Sequence, residues 1–312
     1  MISTSNLVGV VRRRDLPGRN VFRTDAPTLG LMCGRYAASA GAGELVEEFE
    51  VDVDASGEAT RSLLVSAQEP PVGAPDYNMA PTKQAPVVLT RPERLDDGSR
   101  GEAKRQLRHL TWGFVPSWSK DTKGGVRMIN ARAETLLEKP SFAKAARARR
   151  CLVPASGWYE WQLSPTALDA KGKPRKQPFY MRRVDGTDVA FAGLYEFWCD
   201  RSLPDGDPAA WLTTFAIITT SAGQGLDRIH DRQPLALERE QWAEWLDPTL
   251  TDDADVATFL TPGDSSPFEA YPVSRAVSSN RTNGPGLIEP APESDLVGVV
   301  DPATGEIIGA EK

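Results

Sequence analysis

Cys33 is the residue with the clearest chemical potential in the chain, because it directly follows Met32 in the run Met-Cys-Gly-Arg-Tyr. A chain that begins at this cysteine carries a thiol and a free α-amine on one residue. Their ordinary pKa values are about 8.5 and about 7.7–8.0, so both groups are partly deprotonated near neutral pH and can attack an aldehyde or an acyl carbon. If residues 1–32 remain attached, the amine becomes an amide and only the thiol can act as a nucleophile.

Two other motifs supply groups that could transfer protons. Glu160 lies in the run Gly-Trp-Tyr-Glu-Trp, where three aromatic rings should exclude water and raise the pKa of its carboxyl. His230 is one of two histidines and precedes Asp231, so it is a candidate for a second proton carrier. A single histidine more often packs or caps a loop, and the other motifs must decide its role.

A further motif could bind phosphate. Residues 129–134 alternate apolar and polar side chains, so Asn130, Arg132 and Glu134 share one side of an extended segment. The planar guanidinium of Arg132 could hold a phosphate there through paired hydrogen bonds. The simpler alternative is a surface ion pair between Arg132 and Glu134, which would contribute little to stability.

Two motifs rich in aromatic or turn-forming residues allow both structural and DNA-binding interpretations. Trp112, Phe114 and Trp118 lie in a stretch whose Gly and Pro residues prevent a helix. They could pack in the core or form an exposed ridge that stacks on unpaired bases. Asn78 and Pro81 precede a predicted strand and could form an ordinary turn or part of the same surface.

Charge is unevenly distributed along the 312 residues, whose net charge is −7 and whose isoelectric point is about 5.1. That average argues against nucleic-acid binding. Residues 100–183, however, contain 19 Lys or Arg against 6 Asp or Glu, whereas residues 184–312 contain 7 against 23. The basic block could attract phosphate, although a solvated basic surface is the simpler interpretation.

Composition argues against several other classes of protein. Cys33, Cys151 and Cys199 show no Cys-x-x-Cys spacing, which argues against a disulfide framework and a zinc site, and two histidines cannot form a multi-histidine site. We therefore expect no metal and no other cofactor. The sequence has no run of about 18 apolar residues, and no apolar segment of the kind a secretion signal needs follows the arginines at 12–14. We expect a cytoplasmic protein that does not span a membrane.

The elements that must position these groups are mainly short strands. Apolar or alternating runs separated by Gly, Pro and Asp predict strands at 85–89, 107–112, 150–154, 179–183, 189–195 and 215–220. Helical spacing predicts helices at 40–49, 140–148 and 238–246, with a loop-rich insert at 50–76. The predicted fold class is α+β, with a curled, mostly antiparallel, barrel-like sheet and peripheral helices. We expect residues 1–31 to be a disordered extension, residues 32–289 to fold and residues 290–312 to be a flexible acidic tail.

Taken together and in this order, the motifs resemble those of the SOS-response-associated peptidase (SRAP) family, whose members shield abasic sites in single-stranded DNA by attaching covalently to them. The resemblance spans residues 33–288 and rests on seven runs: Met-Cys-Gly-Arg-Tyr, Tyr-Asn-Met-Ala-Pro-Thr, Trp-Gly-Phe-Val-Pro-Ser-Trp, Ile-Asn-Ala-Arg-Ala-Glu-Thr, Gly-Trp-Tyr-Glu-Trp, His-Asp-Arg-Gln-Pro and Pro-Val-Ser. It implies that the catalytic residues are Cys33, Asn130, Glu160 and His230. We expect the DNA-binding residues to be Arg35, Asn78, Pro81, Trp112, Phe114, Trp118, Arg132 and Ser156.

The chemistry implied by the resemblance is capture of the sugar aldehyde at an abasic site. His230 would assist opening of the sugar ring, and the Cys33 amine would then form a Schiff base. Closure by the thiolate gives a five-membered thiazolidine, with Glu160 moving protons and Asn130 holding the amine or the sugar. Strand cleavage by β-elimination is an implied side activity, and the name peptidase fits autocatalytic removal of the residues before Cys33. The expected ligand is single-stranded DNA or a single-to-double-strand junction, bound by a monomer that associates with the nucleoid.

The sequence departs from the family in the 31 residues before Met32, since family members begin at that methionine. A misplaced start codon, self-cleavage before Cys33 and an extended, inactive protein would each explain them. Two other functions stay open. One is a thiol peptidase with Cys33, His230 and Glu160, which would tolerate the extension, and the other is a non-covalent module for single-stranded DNA.

Overall fold

The computed structural model describes residues 33–64, 66–94, 97–263 and 267–309. The predicted disordered extension, residues 1–31, lies outside these ranges. Among the described residues, no helix is long and apolar enough to cross a membrane.

Strands dominate the described part of the chain. They are β1 (Tyr36–Ala38), β2 (Val53–Asp54), β3 (Asp76–Met79), β4 (Gln84–Arg94), β5 (Arg100–Trp112), β6 (Asn130–Arg132), β7 (Arg150–Ala155), β8 (Gly157–Leu168), β9 (Pro174–Arg183), β10 (Val189–Cys199), β11 (Trp211–Ser221), β12 (Arg232–Pro234) and β13 (Phe268–Pro272). The α-helices are α1 (Ala42–Glu48), α2 (Ala143–Ala148), α3 (Arg239–Leu246) and α4 (Asp253–Thr258).

The first sheet is antiparallel throughout and has the order β13, β9, β8, β1, β3. A tight turn joins β8 to β9. The Oδ1 atom of Asp169 accepts hydrogen bonds from the backbone N–H groups of Lys171 (2.8 Å) and Lys173 (2.9 Å), and Gly172 supplies the positive φ of 72°. β1 pairs with the start of β8, so the first described residues lie beside that strand.

The second sheet curls until β5 meets β11. Its order is β12, β11, β10, β7, β4, β5, β2, and β5 also pairs in parallel with β11 through Thr111 opposite Thr214 and Trp112 opposite Phe215. β6 continues the parallel pairing further along β11. The neighbours from β12 to β5 are otherwise antiparallel. This arrangement is the mixed α+β fold with a curled, mostly antiparallel sheet that the sequence predicts.

Side chains from both sheets meet in a large cluster, which we call the interior cluster; its aromatic members include Tyr36, Trp112, Trp158, Phe191 and Phe215. Alternate residues of the same strands face the opposite side, where a second cluster packs against the helices. In β7, for example, the two faces of the strand contribute to different clusters. Both faces of the curled sheet are therefore covered, which explains the nearly continuous apolar runs of its strands.

The C-terminal residues differ from the sequence-based expectation of a flexible tail. Val299 is fully buried in the interior cluster, and Leu296 and Ile308 pack against that cluster. The N–H of Gly298 donates to the carbonyl of Ile308 (2.7 Å), which folds the segment back on itself. The few apolar residues are spaced among acidic and turn-forming ones, so average composition conceals the face that they form.

Candidate active site

Strand pairing brings Cys33 to Glu160. Tyr36 lies opposite Trp158, and the N–H of Tyr159 donates to the carbonyl of Arg35 (3.0 Å). Continued two residues upstream, this antiparallel register sets Gly34 opposite Glu160, so Cys33 lies one residue further along and interacts with Glu160 diagonally. Cys33 is 3% exposed and has a φ of 45°. Cys33 is therefore buried beside Glu160.

Glu160 is a buried carboxyl in direct contact with Cys33. It projects from β8 on the same face as Trp158, toward the interior cluster, and it is 2% exposed. Burial raises its pKa to about 8, although hydrogen bonds from the Cys33 thiol and the Cys33 backbone N–H lower it. Burial and the neighbouring carboxylate together raise the pKa of the Cys33 thiol. A carboxyl with this pKa can both accept and release a proton near neutral pH.

Asn130 holds the backbone of the same cysteine. It begins β6, where parallel pairing with β11 sets it opposite Ile217. Its Nδ2 donates to the carbonyl oxygen of Cys33 (3.3 Å). The side chain can thus fix the main-chain position from which the Cys33 nitrogen and sulfur project.

His230 faces the same small cavity as Glu160, in the turn before β12. Its Nδ1 accepts a hydrogen bond from the N–H of Arg232 (3.1 Å), so the neutral ring carries its proton on Nε2. Nδ1 also lies 3.1 Å from a carboxylate oxygen of Asp231. His230 and Glu160 therefore line one cavity, with the His230 Nδ1 engaged by its own loop.

Arg232 is a site residue that the sequence reasoning missed. Its guanidinium forms a two-point ion pair with Glu134 (2.6 and 3.0 Å) and donates to the carbonyl of Thr219 (2.7 Å). Its positive charge lowers the pKa of the Cys33 thiol against the stronger effect of burial. The only available sequence signal was its position two residues after His230 in His-Asp-Arg-Gln-Pro.

The predicted alternative pairing of Arg132 with Glu134 is wrong, because Glu134 is occupied by Arg232 from β12. Arg132 is exposed, in a segment that also contains exposed Lys120, Lys123 and Arg127. Much of the remaining basic block forms ion pairs with acidic residues: Arg105 with Glu50, Arg108 with Glu58, Arg147 with Asp253, Arg149 with Glu196 and Arg182 with Glu269. The charge count therefore overstates the positive surface that is available to DNA.

The predicted aromatic ridge is only partly exposed. Trp112 and Phe114 have no exposed surface, and the Trp112 Nε1–H donates to the carbonyl of Ile129 (2.9 Å). The N–H of Gly113 bonds to Phe215 of β11 (2.9 Å), which draws this stretch into the closure of the curled sheet. Trp112 and Phe114 are thus core residues and not part of a DNA-binding surface, whereas the Trp118 side chain is 67% exposed.

Asn78 supports Arg35 from a fully buried position. Its Nδ2 donates to the carbonyls of Ser279 (2.8 Å) and Thr282 (3.0 Å), and its Oδ1 accepts from Nη1 of Arg35 (2.8 Å). The predicted direct contact between Asn78 and DNA is therefore wrong, because its side chain is enclosed and its hydrogen-bonding atoms are engaged. Asn78 instead fixes the direction of the half-buried Arg35 side chain.

Pro81 and Ser156, the other two predicted DNA-binding residues, are partly exposed. The hydroxyl of Ser156 shares a hydrogen bond with that of Ser39 (2.7 Å), while the Ser156 N–H donates to the carbonyl of Ala37 in β1 (2.8 Å).

In the described ranges, no group of three His, Cys, Asp or Glu side chains is arranged to hold a metal ion.

Comparison with known proteins gives a consistent result. Residues 32–280 match the family model of the SOS response associated peptidase (SRAP). The chain is 38% identical over 260 residues to the abasic site processing protein YoqW of Bacillus subtilis (strain 168), covering 83% of this chain and 99% of that protein. It is 30% identical over 265 residues to YedK of Escherichia coli (strain K12), also named an abasic site processing protein, covering 83% and 100%.

Solved structures show the same fold. A protein from Bacteroides thetaiotaomicron matches with a TM-score of 0.61 and 25% identity, over 83% of this chain and all of that one. A phage-related protein from Bordetella bronchiseptica matches with a TM-score of 0.51 and 31% identity, over 78% and 95%. The extent of the family match and the identity to its relatives lead to one conclusion: this chain belongs to the SOS response associated peptidase (SRAP) family.

Proposed function

We propose that this protein processes abasic sites in DNA by linking Cys33 covalently to the exposed sugar aldehyde. The observation that carries the proposal is the burial of Glu160 beside Cys33, whose thiol and backbone nitrogen both lower the pKa of this carboxyl. In a chain that begins at Cys33, that nitrogen is an α-amine. One buried carboxyl would then serve both nucleophiles, and relatives over most of this chain are named abasic site processing proteins.

The reaction needs an amine, a thiol and two proton carriers. With His230 assisting opening of the sugar ring, the Cys33 amine adds to the aldehyde carbon and water leaves, which gives an imine. The thiol then adds to the imine carbon while its proton passes to the nitrogen through Glu160. The product is a five-membered thiazolidine, and one water is lost overall. Asn130 would hold the Cys33 backbone in the geometry for ring closure.

The same groups could remove the residues before Cys33. Its thiol would attack the carbonyl carbon of Met32, and Glu160 would deliver a proton to the departing Cys33 nitrogen. This step moves the acyl group from nitrogen to sulfur, and hydrolysis of the thioester then releases the N-terminal segment and restores the thiol. The peptidase activity proposed here is therefore self-processing at Cys33, and β-elimination from the imine would be a side reaction.

The proposed ligand is single-stranded DNA or a single-to-double-strand junction, bound by a monomer in the cytoplasm at the nucleoid. Arg35 and Arg132 would contact phosphates, with Pro81 and Ser156 at the edge of the site. Of the predicted aromatic ridge, Trp118 would stack on a base, since this residue is 67% exposed. Binding should weaken as salt concentration rises, because phosphate contacts release counterions.

The test uses a chain that begins at Cys33 and an oligonucleotide with one abasic site. We expect an adduct that survives denaturation in SDS with the unmodified chain and none with Cys33→Ala, while both bind DNA reversibly. Equal adduct formation by the two proteins would refute the proposal, and binding without any adduct would favour a non-covalent DNA-binding module. Capping the α-amine should abolish the adduct; peptidase activity on other proteins that survives capping would favour the thiol peptidase.

A further inference from the structure

The C-terminal residues form a compact hairpin beyond the stretch that matches the family model, which ends at residue 280. We call residues 296–309 the C-terminal hairpin. Its two arms are joined by hydrogen bonds from Gly298 to Ile308 (2.7 Å) and from Asp301 to Glu306 (2.9 Å), and Val300 pairs with Ile307. The element is therefore defined by its own backbone contacts.

The C-terminal hairpin is anchored to β8 and β9. The hydroxyl of Ser164 donates to the carbonyl of Gly298 (2.5 Å), and Arg175 donates to the carbonyl of Val297. Val299 inserts into the interior cluster with no exposed surface. An apolar anchor and two polar ones fix its position on the sheet.

The C-terminal hairpin also contacts the short 3-10 helix Leu226–Arg228. Nη1 of Arg228 donates to the carbonyls of Pro302 (2.6 Å) and Ala303 (3.0 Å) at the hairpin tip. Leu226 belongs to the interior cluster beside Val299. The helix is thus held by the guanidinium on one side and by apolar packing on the other.

Gln162 connects the hairpin, the helix and the catalytic strand. Its Nε2 donates to the carbonyls of Arg228 (3.1 Å) and Val300 (2.9 Å), and its Oε1 accepts from the N–H of Val300 (2.8 Å). It lies two residues after Glu160 on the same face of β8. One buried amide therefore ties the helix to the strand that carries Glu160.

His230 directly follows this helix. Its N–H donates to the carbonyl of Leu226 (3.1 Å), and Ile229 packs in the interior cluster. Because His230 is joined directly to this helix, a movement of the helix would also move the imidazole. The distance from the imidazole to Glu160 would then change, since both side chains line one cavity. A misplacement of about 1 Å can cost on the order of a hundredfold in rate.

We propose that the C-terminal hairpin is a positioning element for His230, acting through Arg228 and Gln162. The inference rests on the proposed function for the role of His230, but the mechanical link can be measured without activity. Residues outside the family match would then set how well this chain opens and captures the damaged sugar.

The main variant is Arg228→Met in the chain that begins at Cys33 and keeps the C-terminal hairpin; it removes the two hydrogen bonds and keeps the aliphatic stem. We expect faster amide hydrogen exchange at residues 226–230 and a rate of adduct formation about tenfold lower. Affinity for abasic DNA should be unchanged. Arg201→Met, at an exposed turn, is the matched control and should leave exchange and rate unchanged.

A second variant ends the chain at Asp295, and its control ends at Gly309. The shorter chain should lose adduct rate in the wild-type background and lose nothing further when His230→Ala is present, because both changes act through one group. Additive losses would overturn the proposal, as would unchanged exchange at 226–230 in both hairpin variants. If the control chain forms no adduct while exchange responds as expected, the proposed function fails and the mechanical link stands.

Discussion

Replacing Glu160 with glutamine should make the protein relatively more stable as pH rises. Burial raises the pKa of Glu160 from 4.5 to about 8, so between these values the folded state holds a proton that the unfolded state has released. The free energy of unfolding of the unsubstituted chain therefore falls as pH rises from about 4.5 to about 8, whereas glutamine does not titrate. From pH 4.5 to 7 the interval is about 2.5 units, and at about 1.4 kcal/mol per unit the relative gain is about 3 kcal/mol.

The measurement is urea unfolding at several pH values, with Cys33→Ala as the background for both chains. That background prevents self-processing and removes only a hydrogen bond that lowers the pKa of Glu160. The cost of burying the glutamine amide is independent of pH, so it shifts the stability difference without changing its slope. Glu289→Gln is the matched control, because it makes the same substitution at an exposed position.

The result that would refute this reasoning is a stability difference between the glutamine and glutamate chains that stays constant from pH 4.5 to 7. A difference that moves in favour of glutamate would refute it equally. Either result would mean that Glu160 is ionised in the folded protein at neutral pH and therefore holds no proton that it could transfer to Cys33.

Three other predictions concern the surface, the thiol and the fold. Trp118→Ala should weaken binding to single-stranded DNA by about 1–3 kcal/mol in a titration without changing the melting temperature. Trp112→Ala should instead lower the free energy of unfolding by about 3–5 kcal/mol in calorimetry. If the two variants changed DNA binding and stability equally, this contrast would be contradicted. Arg232→Gln should raise the pKa of the Cys33 thiol, because the positive charge of Arg232 lowers that pKa in the unsubstituted protein. The measurement is a pH titration of thiolate absorbance, corrected with Cys33→Ala, and an unchanged pKa would contradict the prediction. Gly157→Ala should lower the melting temperature, since an added Cβ would lie 2.5 Å from the Tyr180 hydroxyl, and an unchanged temperature would contradict it.

Local pattern predicted parts of β4, β5, β7, β9, β10 and β11 but missed β8, and the closure of the sheet came from contacts that sequence spacing does not contain. The predicted strand at 215–220 lies within β11, and the predicted helix at 238–246 corresponds to α3 within a residue. The parallel pairing of β5 with β11 joins Trp112 to Phe215, about a hundred residues away. Without that pairing, an aromatic stretch with Gly and Pro could equally be surface or core.

The candidate site, too, was predicted from sequence only in part. The prediction that the pKa of Glu160 is raised is confirmed, although of its aromatic neighbours Trp158 shares its face while Tyr159 belongs to another cluster. Burial comes from the interior cluster as a whole and could not be derived from three adjacent rings. The ion pair of Glu134 could not be predicted either, because its partner Arg232 lies 98 residues further along the chain.

The central claim is that Cys33 presents an amine and a thiol together to a damaged sugar. The most direct test is intact-mass measurement of the protein isolated from its own cells, before and after incubation with an oligonucleotide that carries one abasic site. The account predicts a chain that begins at Cys33 and then gains the mass of the oligonucleotide less one water. A chain that keeps residues 1–32, and that forms no such product after they are removed, would contradict it.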